Sequence, residues 1–187
     1  MKSVFTATLA AAIITGAAAF ADGHANNPKV GGAEMFPSKN IVENAVNSPI
    51  HTTLVAAVTA AGLVDTLSSE GPFTVFAPTD EAFGALPAGT VETLVKPENK
   101  ETLTKILTAH VVAGNIMAAD LVKAIKASPN GFYHFQTVSG DTLSAQLTPH
   151  GSVFIFDESS NAYKVSAADV KQSNGVIDVI DGVLIPK

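Results

Sequence analysis

The chain has no cysteine, no arginine, and charged residues at only 15% of its 187 positions. Without cysteine there are no disulfides, no thiolate metal sites and no lipid-modified N-terminal Cys, so a folded core alone must hold the molecule together. Eleven scattered lysines and a formal net charge of −6 leave no basic patch. Phosphate contacts supply most nucleic-acid affinity, so a nucleic-acid partner is not expected. Beyond the first twenty residues no apolar run is long enough to span a bilayer, which leaves no transmembrane segment in the mature chain. The chain also has no Gly-x-Ser-x-Gly elbow, phosphate loop or dinucleotide fingerprint. His24, His51, His134 and His150 are dispersed, with no His-x-x-x-His or carboxylate-rich loop joining them, so no metal or other cofactor is expected. Nothing positive points to an enzyme.

What is present is a largely apolar composition, 47% hydrophobic, which suits a compact globule. Lys2, the apolar stretch Val4 to Phe20 and the small-x-small triplet Ala19-Phe20-Ala21 read as a signal peptide over 1–21, cleaved after Ala21. Residues 22–38 are rich in Gly, Asn and Pro and read as a linker, flexible unless docked. A single domain is expected over 39–187.

That domain is organised around Gly71 to Phe83. Phe73 to Ala77 is a short aromatic and β-branched run between prolines, apolar on both faces, hence a central strand. Pro78 ends it. Thr79 stands at a helix N-cap, with Asp80 and Glu81 where the helix dipole favours carboxylates. Upstream, Ile41, Val42, Ala45 and Val46 form one helical stripe. Thr52 or Thr53 opens a second helix, which Gly62 closes. Downstream, a helix opens at Pro97-Glu98 and carries Leu103, Ile106, Leu107 and His110 on one face. Another runs from Met117 to Ser128. After Pro129-Asn130-Gly131 the apolar period changes to two, giving strands at Phe132 to Val138, Thr142 to Leu147, Val153 to Phe156 and Ala162 to Val165. The last apolar block, Val176 to Ile185, is broken by Asp181-Gly182, which reads locally as a tight hairpin. Helices first and strands later give an α+β class.

Two segments carry a family resemblance. Thr74-Val-Phe-Ala-Pro-Thr-Asp-Glu-Ala-Phe83 and Asn174-Gly-Val-Ile-Asp-Val-Ile-Asp-Gly-Val-Leu-Ile-Pro186 resemble the two signature segments of fasciclin domains, in the right order, about a hundred residues apart. The resemblance covers roughly Lys39 to Lys187. It implies N-terminal helices packed on a mostly antiparallel β-sheet wedge, with the C-terminal block returning as a bent or bulged strand beside Phe73 to Phe76. It also implies a non-catalytic adhesion or interaction module whose partner is a surface or matrix protein or a glycan, and the expected signal peptide makes it an exported one, secreted or periplasmic.

Several residues acquire candidate roles from it. His110 lies where the family has a Tyr-His pair, with Ala109 in place of the tyrosine. It is expected to be a core imidazole hydrogen-bonded to backbone or to Thr79 or Asp80, the alternative being a binding or pH-sensing histidine. Asp169-Val170 matches an Asp-Ile pair implicated in adhesion in animal fasciclin domains and is the candidate binding site. The structural alternative is that Val170 packs inward while Asp169 caps or solvates a strand end. Asp178 replaces a histidine common in the family. Two other functions stay in view. One is a periplasmic carrier with a small apolar ligand in a groove left by small side chains along Thr53 to Ala61. The other is a hydrolase of unfamiliar type, which requires a serine or threonine, a histidine and a carboxylate to converge in a cleft. The oligomeric state is left open.

Overall fold

The computed structural model describes residues 27–186, so the expected signal peptide over 1–21 lies outside the described residues. The described residues open with a two-stranded hairpin, β1 (Lys29–Val30) and β2 (Ala33–Glu34). Three helices follow: α1 (Ile41–Val46), α2 (Thr52–Ala61) and α3 (Val64–Ser68). Strand β3 (Phe73–Pro78) leads into α4 (Asp80–Gly84) and α5 (Thr90–Leu94). A 3-10 turn at Pro97–Asn99 feeds α6 (Lys100–Ala109), then β4 (Val111–Ala113) and α7 (Ala118–Ala127). The rest is sheet: β5 (Phe132–Gln136), β6 (Thr142–Leu147), β7 (Val153–Phe156), β8 (Ala162–Gln172) and β9 (Gly175–Ile180).

The long sheet has the order β4-β3-β9-β8-β7-β6-β5, and the α+β class is what the molecule adopts. Strand β3 is central, with β4 antiparallel on one side and β9 parallel on the other. Phe73 stands beside Gly175 and Pro78 beside Ile180, so the C-terminal block does return to the core strand rather than closing a local hairpin. At the far end Val138 N–H donates to the Val111 carbonyl at 2.7 Å. The chain leaving β5 thus meets β4, and the sheet curls until its two edges touch.

Alternation along β3 builds two cores. Val75 and Ala77 face the helices, with Leu54, Val58, Leu107 and Ile177. Phe76 faces the inside of the curl, with Leu143, Ile155, Ile180 and Leu184, and its ring stacks on Phe135 at a centroid distance of 5.7 Å. Every residue from Thr74 to Pro78 is buried, as a strand apolar on both faces requires.

The β3–β9 pairing depends on two glycines. A Cβ on Gly175 would sit 2.1 Å from the Phe73 carbonyl oxygen, and one on Gly71 would sit 2.0 Å from that of Asn174. No side chain fits at either position without moving backbone. The Asn174 side chain then ties three elements together, donating to the carbonyls of Leu67 (2.8 Å) and Ser69 (2.9 Å) and accepting from Ile41 N–H (3.0 Å).

Several elements differ from the sequence expectation. Part of the presumed linker is docked, with Val30 and Met35 buried in the helical core. The buried Asn44 holds it there, pairing with both backbone groups of Phe36 (2.9 and 2.8 Å) and with Gln172. Strand β8 extends seven residues beyond Val165: its alternation runs on through Ala167 and changes phase at Asp169-Val170, at the second register shift against β9. Pro97 opens a 3-10 turn ahead of the helix, and α5 gave no clear periodic signal.

Candidate functional site

Thr79 does what its position suggests, its Oγ1 accepting from Ala82 N–H at 3.2 Å to cap α4. Asp80 acts elsewhere. Its carboxylate accepts from Thr53 N–H (2.7 Å), Thr52 N–H (3.2 Å) and Thr52 Oγ1 (2.7 Å), capping the start of α2, where His51 provides no cap of its own. Burial pushes the Asp80 pKa upward, but the hydrogen bonds from Thr53 and Thr52 outweigh it and hold the carboxyl below its ordinary range.

His110 is buried at the end of α6. Its Nδ1–H donates to the Ile106 carbonyl at 2.8 Å, and its Nε2 accepts from Leu184 N–H at 2.9 Å. Those bonds select the Nδ1–H tautomer. Burial drives the pKa down to about 4, against the Ile106 carbonyl, which favours the proton. The ring is therefore a neutral clamp between helix and C-terminal segment. Its partners are backbone groups, and neither Thr79 nor Asp80 is among them.

Asp169 and Val170 sit at the second register shift of β8, with Asp169 at φ +59°. Val170 is 2% exposed and belongs to the helical core, so it presents no contact surface. The half-buried Asp169 carboxylate accepts from Ala118 N–H at 2.7 Å, at the first turn of α7. Asp169 N–H donates to Asp178 Oδ1 at 2.9 Å. Asp178 is itself buried, and desolvation pushes its pKa up to about 7; the Asp169 amide opposes this and the Asp169 carboxylate adds to it. The Asp-Val pair thus bridges strand and helix, and its carboxylate is engaged on the helix side.

A second buried histidine escaped the sequence reading. Ser48 Oγ and His51 Nδ1 lie 2.8 Å apart across the turn between α1 and α2, both side chains buried. The signal was the i, i+3 spacing of two polar residues in Ser48-Pro49-Ile50-His51. Burial lowers the His51 pKa, although the Ala77 carbonyl and the Asp80 carboxylate act to raise it. The Ala77 carbonyl lies near the ring without forming a bond of normal geometry. His51 Nε2 is left with no hydrogen-bond partner, alone among buried side-chain polar atoms of the described residues. This is not a hydrolytic arrangement. A triad places serine on one ring nitrogen and a carboxylate on the other, whereas here the nearby carboxylate, Asp80, is spent on α2.

His51 and His110 both line a partly open cavity of about 160 Å³ between α1, α2 and the sheet, whose walls are otherwise nearly all aliphatic. An apolar enclosure is the feature a carrier requires. The side chains shaping it on α2 are Leu54, Val55, Val58 and Thr59, with Ala45 on α1, and not the alanines of α2. Ala57 and Ala61 are buried in the helical core instead.

Comparison with known proteins agrees with this architecture. The profile of the fasciclin domain matches residues 49–186. The Synechocystis protein sll1483 is 51% identical over 146 residues, 78% of this chain and 73% of its own length. The cell surface glycolipoprotein MPB83 of Mycobacterium bovis is 34% identical over 169 residues, 87% of this chain and 68% of its own. Among solved structures, a FAS1 domain pair from the insect cell adhesion molecule fasciclin I superposes with a TM-score of 0.68 at 22% identity, covering 79% of this chain and 51% of that one. Both signature segments lie inside the matched span, as the paired strands β3 and β9 with the capped helix α4, and the chain belongs to the fasciclin domain family.

Proposed function

We propose that this chain is an exported, non-catalytic recognition module that binds a protein or a glycan at the cell surface or in the surrounding matrix. The observation that carries the reading is the family match, which spans almost the whole folded domain. The names of the relatives point the same way, since MPB83 is a cell surface protein and fasciclin I an adhesion molecule. The site chemistry is consistent with it. Thr79, Asp80 and His110 are occupied in capping and clamping the fold, which leaves recognition to the surface. A net charge of −6 favours a partner neutral or basic at the contact. A single domain makes a modest contact, so adhesion would gain strength through arrayed copies.

The test is binding of the immobilised, purified chain to native envelope material, before and after protease or periodate treatment of that material. Saturable binding lost after one treatment supports the reading and names the partner class. Binding no greater than to an albumin surface refutes it. Equal binding by Asp169→Ala removes that carboxylate from the contact.

A further inference from the structure

The cavity between α1, α2 and the sheet has two properties that together describe a ligand. The first is its size and lining. At about 160 Å³ it matches apolar cavities of roughly 150 Å³ that stay dry and take up benzene-sized molecules. The exposed lining residues, Val46 (61% exposed) and Thr59, lie on α1 and α2 and place the mouth between those helices. The second is the state of its few polar groups. Thr59 Oγ1 donates to the Val55 carbonyl, Ser48 Oγ is paired with His51 Nδ1, and His110 is bonded at both ring nitrogens. His51 Nε2 alone is unpaired.

A water molecule needs two to four polar partners to be held in a buried site, and His51 Nε2 is the one buried polar side-chain atom of the lining without a partner. A small hydrocarbon body with one polar atom fits both properties. Its apolar part would remain against the aliphatic wall, and its single hydroxyl or carbonyl would satisfy the imidazole, which burial keeps uncharged.

We propose that this cavity binds a small apolar molecule bearing one hydroxyl or carbonyl group, which hydrogen-bonds to His51 Nε2. The proposal does not depend on the adhesion reading. The probes are toluene and para-cresol, which share a shape and differ by one hydroxyl. Each is titrated into the purified, ¹⁵N-labelled chain. Both are expected to saturate, with amide shifts concentrated in Ile41 to Val46 and Thr52 to Val58. Para-cresol should bind roughly three- to tenfold more tightly, the range of one added hydrogen bond. The His51 imidazole nitrogen signals should move with para-cresol and not with toluene. Ala45→Phe, which fills the cavity from α1, should remain folded and bind neither probe; Val55→Phe serves in its place should that variant fail to fold. Absence of saturable shifts, shifts centred elsewhere, full binding by a folded filling variant, or equal affinity for the two probes would overturn the proposal.

Discussion

Asp178 offers the sharpest test of how this fold handles buried charge. The residue is 2% exposed, and its pKa rises from 3.8 to about 7 in the folded chain, through desolvation first and the neighbouring Asp169 carboxylate after it. Between about pH 4 and pH 7 the folded state therefore holds a proton that the unfolded chain has released. Stability from this group must fall as pH rises across that window, since each unit of pKa difference is worth about 1.4 kcal/mol. Relaxation and water entry reduce the full figure, which leaves about 2–4 kcal/mol. His110 works in the opposite sense. Its folded pKa is lowered from 6.5 to about 4, so its contribution is lost as pH falls from about 6.5 towards 4. The Asp178 and His110 slopes oppose each other between about pH 4 and pH 6.5, where the lowered pKa of His51 acts in the same sense as His110. The difference between a variant and the native chain is therefore what isolates Asp178. Asp178→Asn removes one slope while keeping an Oδ1 to accept the Asp169 amide. Relative to the native chain, the variant should match within about 1 kcal/mol at pH 4.5 and gain about 2–4 kcal/mol at pH 8. At this chain length that gain is roughly 5–12 °C in melting temperature. Urea unfolding followed by circular dichroism from pH 4.5 to 8.5 reads the difference directly. A difference that does not change with pH would refute the reasoning, as would a less stable variant at pH 8.

Two further predictions rest on neighbouring contacts. His110→Ala removes a buried ring and leaves the Ile106 carbonyl and Leu184 amide without their partner, at a cost of about 2–4 kcal/mol in urea unfolding at pH 7. An unchanged midpoint would contradict the clamp. Asp80→Ala should destabilise the domain by about 1–2 kcal/mol and speed amide exchange in the first turn of α2 more than in α4, because the carboxylate caps the former. Faster exchange confined to α4 would restore the simpler reading of Asp80 as a residue of its own helix.

Much of the architecture was legible from local rules. Thr79 is a cap because hydroxyl residues before a carboxylate pair satisfy the free amides of a helix start. Gly62, at φ +73°, closes α2 as a left-handed C-cap. The three short strands from Phe132 to Phe156 and the opening of β8 follow two-residue alternation. Less legible were features whose cause lies far off in the chain. Asp80 reads locally as a first-turn residue of α4, yet its carboxylate serves α2, whose first residue is 28 positions earlier. Residues 22–38 have the composition of a linker, and only the pairing of Asn44 with Phe36 and Gln172 converts part of that stretch into a docked hairpin. Val170 matched an adhesion pair by position but is enclosed by the helical core.

Periodicity, capping types and glycine placement therefore set the element order, the central strand and the segments destined to pair, because each is a property of residues a few positions apart. The cavity, the free nitrogen of His51 and the raised pKa of Asp178 have another origin. They arise where α1, α2, β3, β8 and β9 come together, since burial and partner geometry are properties of neighbours in space and not of neighbours in the chain.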